Sequence, residues 1–214
     1  MAIMKQVERI LAEKLLGIYA IKLQPDNPFT WASGWNSPIY PDNRKALSYP
    51  AVRTFIKIEL ARVIAEQFPE AECVAGVATG AIAMGALVAD ELGLPYVFVR
   101  DTPKDHGLEN IIEGTVKLGQ KVVVVEDLVS TGKASLKACE SLRQAGCEVV
   151  GMVSVFDFGF PQTEKAIRKA GVKLHSLTNF NAMLDVAVAT DYIKEADIQT
   201  LKEWRDDPAE WSKH

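Results

Sequence analysis

Four consecutive valines, Val122–Val125, run directly into two acids, Glu126 and Asp127. A segment that is apolar at every position, not at every second one, is a strand with both faces buried. Such strands form the interior of a mainly parallel sheet, and the crossovers that join them are usually helices. The residues after the acids fit that architecture: Leu128-Val129-Ser130-Thr131-Gly132 reads as a strand-to-helix turn, and a helix opens at Lys133.

The rest of the chain supplies the alternation. Ile3, Val7, Ile10, Leu11 and Leu15 recur at helical spacing, which predicts an amphipathic helix over residues 3–16. Residues 17–47 are rich in Pro, Asn, Asp and Trp and read as a small hood. Ser48-Tyr49-Pro50, with Ser48 as cap and an early proline, predicts the start of a helix reaching about Phe68. Further strands are expected at Glu72–Val77, Tyr96–Arg100, Lys121–Val125, Val149–Phe156 and Val172–Leu177. Helices are expected from the Ala-rich stretch up to Leu92, over Lys133–Gln144 and Gln162–Lys169, and around Ile193–Trp204. The polar stretch 101–115 reads as a long loop, a feature that in a compact domain is commonly functional. The expected fold is therefore α/β: a mainly parallel sheet with helices on both faces, plus a small N-terminal hood. Residues 1–47 are assigned to the N-terminal helix and hood, and 48–214 to the core with a C-terminal hood-side helix.

Composition removes several classes of function. Of 214 residues, 28 are acidic and 24 are Lys or Arg, a net charge of −4 that gives no bulk attraction to nucleic acid or to an anionic membrane. A polyanionic substrate would need positive charge gathered locally. Cys73, Cys139 and Cys147 form no CxxC pair and read as small core residues in a reducing compartment. No apolar run approaches the roughly 20 residues of a membrane span, and the charged amphipathic start is not a secretory signal. A cytoplasmic protein is expected.

The segment Val122–Ser135 carries the chemistry. Glu126 and Asp127 fall where a buried strand surfaces. The turn behind them feeds a helix N-terminus, whose unpaired N–H groups and dipole favour a phosphate. Gly132 permits close backbone approach, and Ser130 and Thr131 add hydroxyls. An anion cradle beside two acceptors suits a phosphorylated sugar. The P-loop pattern GxxxxGK(S/T) fails, because Asp127 and Ala134 stand where Gly and Ser or Thr are required. Arg100, Lys104 and His106 gather cationic or proton-bearing groups within seven residues of an otherwise acidic chain, as a departing polyanion needs. Ala78-Thr79-Gly80-Ala81 reads equally as a backbone anion nest or as a tight turn. Tyr40 reads either as a stacking ring for a planar base or as a packing residue of the hood.

The string VVVVEDLVSTGKAS resembles the PRPP-binding motif of the type I phosphoribosyltransferases, most closely that of the branch that uses orotate. VRDTPKDHG (Val99–Gly107) is similar to the mobile catalytic loop of that branch, and SPIYPDNRKALSYPAVR (Ser37–Arg53) to its N-terminal region. The resemblance covers about residues 15–210. It implies PRPP and orotate as substrates, Mg²⁺ as cofactor bound mainly through PRPP, and a homodimer whose loops reach into each other's sites. It implies PRPP contacts at Arg100, Lys104, His106 and the stretch Glu126, Asp127, Leu128, Val129, Ser130, Thr131, Gly132, Lys133 and Ala134. It also implies a catalytic role for Arg100, Lys104, His106 and Asp127, and orotate contacts at Ser130 and, from the hood, Tyr40. Three positions depart from some members. Asp101 stands where a second loop lysine occurs, Gly80 where the diphosphate loop carries a lysine, and Phe156-Asp157-Phe158-Gly159 where an arginine holds the orotate carboxylate. A transferase for another base, and a PRPP-sensing regulator that binds nucleic acid, remain rival readings; the acidic balance disfavours the regulator.

Overall fold

A computed structural model of the chain describes residues 2–31, 34–101 and 111–211. Helix α1 (Ala2–Gly17) leads into the hood, made of β1 (Ile21–Leu23), β2 (Phe29–Thr30), β3 (Asn36–Ser37) and β4 (Ile39–Pro41). β1 pairs antiparallel with β4, and β2 with β3. A 3-10 helix over Asn43–Ser48 connects to α2 (Pro50–Gln67). The core then alternates β5 (Cys73–Val77), α3 (Ile82–Leu92), β6 (Tyr96–Val99), β7 (Ile112–Glu113), β8 (Lys121–Val129), α4 (Lys133–Gln144), β9 (Glu148–Asp157), α5 (Pro161–Lys169), β10 (Leu174–Asn179), α6 (Phe180–Ala189), α7 (Asp197–Asp206) and α8 (Pro208–Trp211).

The six-stranded sheet has the order β10-β9-β8-β5-β6-β7, parallel except for the edge strand β7. The expected α/β architecture is thus present. The valine run lies at its centre, between β5 and β9, and all four valines are fully buried. Their alternation divides them between two cores. Val123 and Val125 pack with residues of α1, α2, α3 and α6, while Val122 and Val124 pack with Ala138 and Leu142 of α4 and Ile167 of α5. The three cysteines are free and buried. Among the described residues no helix is long and apolar enough to cross a membrane.

Several expectations need correction. Ser48 does not cap α2: the cap position is Tyr49, no side chain bonds there, and Pro50 makes the first helical residue. The strand expected to stop at Val125 continues to Val129, so both acids lie inside β8. The last strand lies at 174–179, beyond the expected 172–177, and the helix expected around Ile193–Trp204 is α7, which begins at Asp197. The stretch 101–115 contains β7, while residues 102–110 lie outside the described part. Helix α6 was not expected at all; Asn179 caps it by accepting a hydrogen bond from the Ala182 N–H at 3.0 Å.

The hood is fastened to the core through aromatic rings. Trp204 of α7 is fully buried and meets Trp31 of the hood and Phe158 beyond β9, each at 5.5 Å between ring centroids. Its indole N–H donates to the Asn36 carbonyl of the hood at 3.2 Å. α1 packs instead on the sheet side, where its Glu8 carbonyl accepts from the Thr178 hydroxyl of β10 at 2.8 Å.

Candidate functional site

Parallel sheets bind ligands beyond the C-terminal ends of their strands. Here β5 and β8 both end at one cleft of about 340 Å³. It is lined by Glu126, Asp127 and Leu128, by the turn Ser130–Ser135, by Val77–Gly80 after β5, and by Pro41–Arg44 of the hood connection.

The same alternation that divides the valines divides the two acids. Glu126 turns toward α4 and is buried. Its Oε2 accepts from the Ser135 hydroxyl at 2.8 Å and its Oε1 from the Asp127 N–H at 3.0 Å. Asp127 turns the other way, against Gly80, where a built Cβ would run into the Asp127 carboxylate. The hood reaches the same residue: Asn43 Nδ2 donates to the Asp127 carbonyl at 2.8 Å, while Asn43 Oδ1 has no partner among the described residues.

The turn is equally fixed. Gly132 has φ +71°, and a Cβ there would lie 2.9 Å from Thr163 Cγ2, so glycine suits both the backbone and the space. The Thr163 hydroxyl, buried in α5, donates to the Ser130 carbonyl at 2.8 Å. No side chain caps α4, so its first-turn N–H groups are available to an anion in the cleft. In the Ala78–Ala81 segment, the N–H groups of Ala78 and Ala81 are spent on the Val99 and Val77 carbonyls. Thr79 and Gly80 line the cleft.

Burial raises the pKa of both acids. For Glu126 desolvation is the main cause and the Asp127 charge adds to it, against the Ser135 hydrogen bond. For Asp127 desolvation again leads, opposed by the hydrogen bond with Glu126 and by the Arg44 charge. A raised folded-state pKa means that folding takes up a proton. Stability is therefore highest below the ordinary carboxylate range and falls as pH rises through the folded value. Glu126→Gln keeps the size and removes the titration. The variant should melt above the parent in mildly alkaline buffer, and the gap should shrink as pH falls toward the carboxylate range. Thermal melts across that window check this; a gap that ignores pH would refute it.

The expected site residues do not all converge. Glu126, Asp127, Leu128, Ser130, Thr131, Gly132, Lys133 and Ala134 line the cleft, while Val129 is buried behind them. Tyr40 is 41% exposed on β4, 5.4 Å from the Phe29 ring, and is not among the lining residues. Arg100, at the end of β6, places Nη1 3.4 Å from Glu113 Oε1 and likewise stands outside the cleft lining. Lys104 and His106 lie outside the described residues. Asp42, Asn43, Arg44, Thr163 and Ser135 belong to the site or its supports and were not singled out from sequence. Four of them sit inside quoted segments, SPIYPDNR and the end of VVVVEDLVSTGKAS, but nothing in residue spacing marked their roles.

A crossover sheet whose central strand delivers two acids and a phosphate-accepting turn to one cleft defines a phosphosugar-handling transferase. Accordingly, residues 51–190 match the family model described as phosphoribosyl transferase domain. The orotate phosphoribosyltransferase of Bacteroides thetaiotaomicron is 64% identical over 208 residues, covering 97% of this chain and 98% of that protein. The crystal structure of orotate phosphoribosyltransferase from Aeropyrum pernix superposes with a TM-score of 0.73 at 30% identity, over 82% of this chain and 96% of that one. The Mycobacterium tuberculosis H37Rv orotate phosphoribosyltransferase in complex with PRPP gives a TM-score of 0.65 at 25% identity, over 82% of this chain and 98% of that one. The chain belongs to the orotate phosphoribosyltransferase family.

Proposed function

We propose that the protein transfers the 5-phosphoribosyl group of PRPP to orotate, giving orotidine 5′-phosphate and diphosphate, a step in the biosynthesis of UMP. The observation that carries this reading is the cleft at the end of β8, lined by Glu126, Asp127 and the open start of α4, in a chain of this family.

In the reaction the 5′-phosphate occupies the turn Ser130–Ala134, and the ribose hydroxyls meet Asp127 and Glu126. The diphosphate lies toward Thr79 and Gly80. Orotate enters between the turn and the hood, with Ser130 as a contact; Tyr40, expected from sequence as a second contact, stands outside this lining and would reach the base only from the hood rim. The C1–O bond breaks, its electron pair leaving on diphosphate, and N1 of orotate bonds to C1 from the opposite face. The sugar passes through oxocarbenium character, which the cleft-facing Asp127 carboxylate favours electrostatically. Little covalent work falls to the protein; positioning and charge supply the rate.

Buried Glu126 and half-buried Asp127, both with raised pKa and both lining a cleft for a polyphosphate, are hard oxygen groups whose mutual repulsion a divalent cation would relieve. They fit Mg²⁺ delivered on substrate phosphates and do not make a dedicated cage. Among the described residues no cluster of three or more metal-ligating side chains exists. Mg²⁺ bound with PRPP would neutralise diphosphate charge.

Arg100, Lys104 and His106 would neutralise the departing diphosphate from the loop. Because Arg100 stands outside the cleft of its own chain, it suits a homodimer in which each loop serves the partner's site. Residues 1–47 act as N-terminal helix and hood over a catalytic core at 48–214, in the cytoplasm. Diphosphate release from PRPP and Mg²⁺, assayed with orotate, uracil, adenine and hypoxanthine, tests the function. Turnover with orotate alone is expected; preference for a purine would sink the proposal.

A further inference from the structure

The proposed substrates pose a charge problem that the cleft must answer. The inference below rests on that substrate reading. Orotate brings a carboxylate into a space already lined by Asp42, Glu126 and Asp127. An anion entering such a space needs a cation within reach, since like charges and lost hydration both oppose it.

Among the described residues, two cationic side chains line the cleft, Arg44 and Lys133. They come from different elements. Lys133 is the first residue of α4 and belongs with the phosphate cradle. Arg44 belongs to the hood connection, the side from which the base is proposed to approach. The segment after β9 offers no cation there: Phe158 and Phe160 are buried, stacked on each other at 5.1 Å, and both pack on Trp204.

The guanidinium is held in a way that leaves it able to work. Arg44 Nε donates to Asp42 Oδ1 at 2.8 Å, while Nη1 and Nη2 make no hydrogen bond to a described residue. The side chain is 58% exposed, so those nitrogens are open to a ligand. One edge fixed and two parallel donors free is the arrangement that receives a carboxylate in bidentate fashion. The base of the side chain is also anchored. The neighbouring Asn43 is tied to the Asp127 carbonyl, so Arg44 keeps a set position relative to the acid that faces the ribose.

We propose that Arg44 is the specificity residue that binds the orotate carboxylate, with Asp42 as the positioning residue that orients its guanidinium. The site therefore selects a pyrimidine that carries a carboxylate over one that does not.

Steady-state kinetics of the full-length protein with Mg²⁺, PRPP and orotate, run on the parent, Arg44→Gln and Arg44→Lys, test this. Arg44→Gln should raise KM for orotate roughly ten- to hundredfold, the range for losing a charge-assisted hydrogen bond. KM for PRPP should stay within about twofold of the parent. Arg44→Lys should recover part of the loss, because a point charge lacks the fork. A rise in KM for PRPP with orotate unaffected would assign Arg44 to phosphate and overturn the proposal, as would parental values for both substrates. No diphosphate release by the parent with orotate would instead overturn the substrate reading itself, and this inference with it.

Discussion

Asp127→Asn should lower kcat/KM by about 10²–10³-fold while leaving the protein folded. The size is that of removing one preorganised electrostatic partner of the transition state. Asp127 faces the cleft at Gly80, and its hydrogen bond to the hood is made by its backbone carbonyl, to Asn43. The amide is isosteric and spares that bond, so the change isolates charge. The loop cations allow a second readout. Lys104→Ala should cost a similar factor, and mixing it with Asp127→Asn subunits should restore activity at hybrid sites if loops cross between subunits. A mixture no better than its components would mean that each loop closes over its own cleft. Near-parental turnover by Asp127→Asn would remove this residue from the chemistry.

Trp204→Ala should be the most destabilising single truncation, by about 3–5 kcal/mol, the usual range for deleting a buried Trp side chain. Trp204 is fully buried, contacts the rings of Trp31, Phe158, Phe160 and Phe180, and holds the Asn36 carbonyl. The melting temperature should fall by roughly 6–20 °C, at about 2–4 °C per kcal/mol for a chain of this size. Because Trp204 joins the hood to the core, the residual folded protein should also lose affinity for the base before it loses affinity for PRPP. A melt lowered by only a degree or two would show that hood and core are joined by other contacts.

The segment Val122–Ser135 was legible because three independent signals coincide there: unbroken apolarity, paired acids and a glycine turn. The parallel sheet followed from it. What stayed hidden depended on partners far away in sequence. Asn43 meets Asp127 across 84 positions, and no local pattern announces that bond. β8 outran its valines because Glu126, which reads as a strand-ending charge, finds Ser135 and stays buried inside the strand. α6 exposes Asn181, Asp185 and Ala189 along one side, but only two of these are polar, a stripe too thin to mark a helix in sequence. β7 is two residues long and exists by pairing with β6. Tyr40 and Arg44 sit four residues apart in a segment with no period, so the hood residue that lines the cleft was indistinguishable from the one that does not.

Valine on both faces leaves the register of β8 weakly specified during folding. A strand shifted by one position exchanges the faces of all its side chains. With valine on both faces, the apolar layers would scarcely register such an error. The detection falls to the flanking charges: a slipped strand would present Asp127 to the layer that holds Ser135 and turn Glu126 toward Gly80. Glu126 would lose the Ser135 hydroxyl, and the Asp127 carboxylate would leave the space that Gly80 keeps open for it. The groups assigned to catalysis thus also act as the ruler by which the central strand finds its register.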